Sequence, residues 1–142
     1  MLAGGEGERH AMGSSSVTIK VGAPETAGTF YCGEVELQPG FLGPPVHVHE
    51  RLHDMFFVIE GTLTVHLDGE DHEASAGAFI CVPPGVMHTF SNRAPVAVRL
   101  LNFTTPAGWE VYMRELGAAY ADGDLRPQQI GAIASRHDFR VV

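Results

Sequence analysis

The sequence predicts an all-β domain, a sandwich or jelly-roll barrel that carries short helices near its C-terminal end. Three observations point there. Short runs rich in Val, Ile, Phe, Leu and Thr recur along the chain and are broken by Gly, Pro and Asp. The 17 glycines and 9 prolines are spread out rather than clustered, as many turns require. The runs also follow one another without the long helical stretches that βαβ units would need.

Taken in order, residues 1–16 hold charges, glycines and serines but no apolar stretch, so they are expected to form a flexible lead-in and not a signal peptide. Residues 17–142 are expected to form one domain, because 142 residues are too few for two ordinary ones. Its barrel is expected over about residues 29–104 and its helices over about 106–137. Strands are expected at residues 30–37, 46–49, 55–60, 62–67, 79–82, 88–91 and 96–103. In the fourth of these, Leu63, Val65 and Leu67 alternate with Thr62, Thr64 and His66, so one face meets a core. Asp68-Gly69 then reads as a tight hairpin turn. Beyond Thr105-Pro106 the period changes. Trp109, Tyr112, Met113, Leu116 and Tyr120 fall at helical spacing, with Thr105 as N-cap and Pro106 in the first turn. A second short helix is expected from Pro127, with Ile130 and Ile133 inward. Both helices should cover an open end or edge of the barrel.

Composition excludes several function classes. With 44% apolar and 18% charged residues the chain can build a core. The net charge of −8 and the nine basic residues leave no cationic surface for a phosphate backbone, so no nucleic-acid partner is expected. No run approaches the roughly 18 apolar residues of a membrane span, so no membrane partner is expected either. The two cysteines, Cys32 and Cys81, are too few for a disulfide framework and sit among apolar neighbours. A reduced, cytoplasmic setting is the expectation.

The chemistry concentrates in histidines. In His47-Val48-His49, residues two apart on a strand project from one face, so both imidazoles can reach one cation at about 2.1 Å. Pro44-Pro45 stiffens the entry to that strand. Downstream come His53-Asp54 and Gly61, and then Gly77, Pro83, Gly85, His88 and Asn92 at fixed spacing. His10, His66, His72 and His137 lie in the lead-in, on a polar strand face, after a turn and near the C-terminus, and are expected to be solvated.

In these motifs the chain resembles the cupin superfamily, over roughly residues 30–103. The second cupin motif is matched at Gly77, Pro83, Gly85, His88 and Asn92. The first is matched at His47, His49 and Gly61, with one extra residue between Gly40 and His47. The resemblance implies a jelly-roll barrel around one divalent metal ion, with His47, His49 and His88 as ligands. Three histidines buried together without a cation would be hard to satisfy, which agrees with that reading.

The family's fourth ligand is a glutamate separated from the second histidine by three or four residues. Here those positions hold His53 and Asp54. Strand neighbours face opposite ways, so one of the two should face the metal. The register before Gly61 favours Asp54. The longer reach of imidazole, and a place for His53 in the loop before the strand, favour His53. The reading leans to His53 as fourth ligand, with Asp54 as a nearby catalytic base. Four neutral histidines would leave a dication strongly Lewis acidic, with Zn the first expectation, whereas a carboxylate would lean toward Fe, Mn or Ni and oxygen chemistry.

The expected cavity is mostly apolar, with Phe30 or Tyr31, Phe41, Phe56, Phe90 and Trp109 near its mouth, and Arg51 is the only arginine expected near the rim. Such a site suits a hydrophobic or aromatic small molecule. The chain is similar in layout to single-domain cupin cyclases of aromatic polyketides, so the first expectation is a metal-dependent polyketide cyclase. A quercetinase-like dioxygenase and a non-enzymatic ligand-binding cupin are the alternatives, because the fold alone cannot choose among them. A homodimer is expected from the apolar row Met55, Phe57 and Ile59 on the face opposite Phe56 and Val58.

Overall fold

A computed structural model describes all residues, Met1–Val142. Eleven strands form two antiparallel sheets. They are β1 (Glu8–Met12), β2 (Ser15–Val21), β3 (Tyr31–Leu37), β4 (His47–Val48), β5 (His53–Glu60), β6 (Thr62–Leu67), β7 (Glu70–Ser75), β8 (Phe79–Val82), β9 (His88–Ser91), β10 (Val98–Thr105) and β11 (Arg140–Val141). The helices are α1 (Ala23–Thr26), α2 (Trp109–Ala121) and α3 (Pro127–Ala134). One sheet runs β1-β2-β3-β10-β5-β8 and the other β11-β4-β9-β6-β7, the two-layer all-β architecture expected.

The inward rows follow strand alternation. Val98 and Leu100 of β10 and Phe56 and Val58 of β5 pack with Leu63 and Val65 of β6 between the sheets. Arg99, between Val98 and Leu100, points outward and pairs with Glu34 and Glu60. Asp68 and Gly69 both have positive φ, the backbone that lets a two-residue turn join twisted strands.

The segment expected as a flexible lead-in, residues 1–16, is in part a strand and the start of another. Glu8–Met12 pairs with β2, which itself starts at Ser15, and Met12 is buried. The hairpin has a physical reason to dock, because Val17 and Ile19 of β2 and Met12 of β1 form a second core. Tyr112, Met113 and Leu116 of α2 and Ile133 of α3 complete that core, so the helices cover the sheet carrying the hairpin. The first long helix begins at Trp109 after Gly108, three residues later than the Thr105 cap predicted. The second begins at Pro127 as expected. The row Met55, Phe57 and Ile59 faces outward, with Phe57 38% exposed beside an exposed Phe79 on β8. Cys32 is buried as expected, but Cys81 is exposed because it falls on that same outward row.

Candidate metal centre

His47 and His49 leave the short β4 side by side, and His88 opens β9 directly opposite His47 in the ladder. Gly85 allows this delivery. Its φ of 83° makes the turn after Pro83-Pro84, and its N–H donates to the His49 carbonyl at 2.8 Å, tying the two histidine-bearing segments together. One ring nitrogen from each of the three histidines lies within 4.8 Å of the others, and all three side chains are buried.

Each imidazole is oriented through Nδ1. His47 Nδ1 meets the Pro45 carbonyl at 2.8 Å, His88 Nδ1 meets the Val86 carbonyl at 3.0 Å, and His49 Nδ1 meets the Asp138 carbonyl. A carbonyl only accepts, so each Nδ1 carries the hydrogen and each Nε2 keeps its lone pair. His49 Nε2 and His88 Nε2 are buried with no hydrogen-bond partner. Asp54 Oδ2 approaches them at 3.6 and 3.4 Å, too far for well-formed hydrogen bonds. Buried acceptors converging beside a carboxylate, all without donors, are what a cation would satisfy. The donor set fits a divalent metal.

The structure settles the position after the second histidine. His53 is exposed, and Asp54 is buried at 3% exposure beside His49 and His88. The lean toward His53 as a ligand is therefore corrected. Strand β5 already includes His53, which pairs with Thr105, so alternation applies from that residue and turns it outward. Asp54, expected as a nearby catalytic base, stands beside His49 and His88.

Electrostatics agree with a coupled cluster. Burial, followed by the neighbouring His88, lowers the His47 pKa to about 3. Burial also opposes charge on His49, but Asp54 outweighs it and holds the His49 pKa above its usual value. Burial would raise the Asp54 pKa, yet His49 and His88 outweigh it and hold the carboxyl below its usual range.

Sequence reasoning missed three contributors. Asn102, on the inward row of β10, donates from Nδ2 to Asp54 Oδ1 at 2.6 Å and to the Met55 carbonyl at 3.2 Å. Extending the row Val98, Leu100 by two residues would have found it. Phe139 stacks on His47 with centroids 4.0 Å apart and planes 15° apart. Asp138 bonds both to His49 and to the backbone beyond it. Nothing in a short C-terminal tail signals either role. His72 is exposed and His10 and His66 pair with carboxylates at the surface, whereas His137, expected to be solvated, is largely buried against Glu115 and Tyr112.

The cluster opens onto a cavity of about 190 Å³. Phe41, Phe56, Phe90, Trp109 and Phe139 supply its aromatic wall, with His47, Asp54 and Asn102 at the polar end. Phe30 and Tyr31 are not part of that wall. No lysine or arginine lines it, and Asp54 is its only carboxylate. Arg51 instead lines a separate outer cleft.

The Cupin domain family profile matches residues 33–104, just over half of the chain, and that span contains every histidine of the cluster together with Asp54 and Asn102. The chain is a cupin. Among curated proteins, this cupin is 31% identical over 106 residues to the quercetin 2,3-dioxygenase of Bacillus subtilis (strain 168). That similarity covers 73% of the cupin but only 30% of the longer relative. Among solved structures it is similar to KdgF from a Halomonas species, with a TM-score of 0.67 at 18% identity, covering 78% of this chain and 96% of that one. It is also similar to a predicted oxalate decarboxylase from Thermotoga maritima, with a TM-score of 0.68 at 14% identity, covering 75% and 98%. The two structural likenesses speak to fold alone. No helix of this cupin is long and apolar enough to cross a membrane.

Proposed function

We propose that this cupin is a metal-dependent enzyme acting on a neutral, apolar small molecule, and that within this class it is a quercetinase-like dioxygenase. The observation that carries the reading is a cluster of three buried imidazoles with a buried carboxylate beside two of them, reaching an aromatic cavity through His47 and Asp54. His47, His49, His88 and Asp54 would hold the ion. The carboxylate offsets part of a dication's charge, which favours Fe, Mn or Ni over the Zn expected of an all-histidine set. When bound, such an ion supplies Lewis acidity toward a substrate oxygen and a partner for dioxygen.

The protein's own residues do the rest. Asn102 fixes one oxygen of Asp54, so the other stays aimed at the cluster. As the only carboxylate of the cavity, Asp54 is also the group placed to hold a proton leaving an acidic substrate hydroxyl. Phe56, Phe90 and Trp109 exclude water and offer ring faces. An anionic substrate finds no guanidinium or ammonium there. An apolar cavity of about 150 Å³ holds a benzene-sized guest. About 190 Å³ therefore encloses one substituted ring, and a larger molecule must extend beyond the cavity or displace part of its lining.

A polyketide cyclase is the second reading. The apolar aromatic cavity favours it, but the histidine-for-carboxylate replacement that also pointed to it does not stand at the cluster. Two free cysteines, one exposed, support a reducing cytoplasmic setting. The test is oxygen consumption by protein reconstituted separately with Fe, Mn, Ni and Zn, offered flavonols and small 1,3-diketones. Uptake with one of the first three metals, abolished by Asp54→Ala, is expected. Stoichiometric Zn with no uptake on any substrate would overturn the dioxygenase reading and leave the cyclase ahead.

A further inference from the structure

The orienting partners of the three imidazoles differ in origin. The Pro45 and Val86 carbonyls that hold His47 and His88 lie two residues before their own histidines and are supplied by the same strand entry. The carbonyl that holds His49 comes from Asp138, 89 residues away, in the segment after α3. The side chain of the same residue does a second job. Asp138 Oδ1 accepts from the N–H of Glu50 at 2.7 Å, and Oδ2 accepts from those of Arg51 at 2.9 Å and Leu52 at 2.8 Å. Those three amides span the loop between His49 and the strand that carries Asp54.

We infer that Asp138 is a positioning residue for the metal centre: its carbonyl fixes the ring nitrogen that His49 presents, and its carboxylate sets the loop that spaces His49 from Asp54. This rests on the reading of His47, His49 and His88 as ligands. A carboxylate bridging three consecutive amides is a charge-assisted cradle that one neutral side chain cannot reproduce. Those amides hold the Asp138 pKa below its usual range despite partial burial.

The surrounding segment is built to bring Asp138 there. Strand β11 pairs with β4, and the Val142 N–H donates to the Val46 carbonyl at 3.0 Å, so the C-terminal strap completes the edge of the ligand-bearing sheet. Phe139, next along, is buried and lies flat on His47. His137 Nε2 meets Glu115 Oε2 at 2.6 Å, anchoring the strap to α2. Two of the three ligands are thus held from their first turn of chain, and the third only when the strap is docked. Ion binding and strap docking must then favour each other by the same factor.

Metal alone is the probe, with no substrate. Titrating Co2+ or Zn2+ into chelator-treated protein should show Asp138→Ala binding about 10–100-fold more weakly than wild type, as losses of ligand-orienting partners do. Asp138→Asn should fall between them, and it is the fallback if Asp138→Ala does not fold. In metal-free protein, long-range 1H–15N spectra should show His47, His49 and His88 all as Nδ1–H tautomers. Asp138→Ala keeps the backbone carbonyl but frees its segment from the Glu50, Arg51 and Leu52 amides, so that carbonyl loses its fixed place and only His49 should become a mixture, a change that general destabilisation would not confine to one ring. In wild type, the metal should slow hydrogen exchange at the amides of Leu52 and Val142. A folded Asp138→Ala that binds within twofold of wild type, with His49 unchanged, would overturn the inference. A wild type that binds neither ion would instead sink the metal-site reading beneath it.

Discussion

Asn102 offers the sharpest energetic test of the site. Its Nδ2 is the donor to Asp54 Oδ1, at 2.6 Å, in a region where Asp54 is 3% and Asn102 6% exposed. A hydrogen bond to a charged group contributes about 1.5–3 kcal/mol, and removing one partner of a buried pair leaves the other's desolvation uncompensated. Asn102→Ala should therefore cost about 1.5–3 kcal/mol in metal-free protein. At roughly 3–4 °C per kcal/mol for a chain of this size, Tm should fall by about 5–12 °C. The assay is thermal unfolding followed by circular dichroism after chelation. A double-mutant cycle adds the decisive control: with Asp54→Ala already present, Asn102→Ala should cost at least about 1.5 kcal/mol less, because no buried carboxylate remains to be orphaned. A Tm within 2 °C of wild type for Asn102→Ala, or the same cost on both backgrounds, would refute the claim that this amide is a buried hydrogen-bond partner on which Asp54 depends.

Further consequences concern the neighbouring histidines and the two thiols. His53→Ala should leave divalent-ion affinity within twofold of wild type in a calorimetric titration, because its side chain is exposed, whereas His49→Ala should remove tight binding. Burial, helped by the Glu34 carboxylate against Lys20, pushes the Cys32 thiol up to about 11, so a thiol reagent at pH 8 should modify Cys81 quickly and Cys32 slowly. Because the folded thiol pKa is raised above its unfolded value near 9, the neutral form is favoured by folding. That contribution is whole below about pH 8.5 and is lost as pH rises through about 11, which Cys32→Ala in a pH series of unfolding curves should flatten.

Much of this architecture is legible in the sequence where burial writes a period. Thr62–Leu67, Phe79–Val82 and His88–Ser91 appear at the bounds the pattern predicts, since each buries part of one face. Of the four strands not anticipated, β1, β7 and β11 are sheet edges and β2 lies inside its sheet, next to β1. Residues Glu70–Ser75 bury only Ala74, and Arg140–Val141 bury nothing, so no hydrophobic alternation marks them. Residues Ser15–Val21 do alternate, with Val17 and Ile19 inward, but they sit behind a polar stretch that reads as a tail.

At the site, the H-x-H spacing put His47 and His49 on one face, and the resemblance to the cupin motifs added His88, which strand pairing places opposite His47. Asp54 against His53 depended on where the strand begins, and a one-residue shift at an element boundary reverses which side chain points inward. Asp138 and Phe139 could not be read at all. They lie some 89 residues along the chain from His49 and His47, and the docked strap that carries them follows from tertiary packing, with no local pattern to announce it.

Counting metal per chain tests the central claim most directly. After reconstitution with a divalent ion and exhaustive dialysis, elemental analysis should give one ion per wild-type chain and close to none for His88→Ala. Wild-type protein emerging metal-free, or His88→Ala retaining the full complement, would contradict the account.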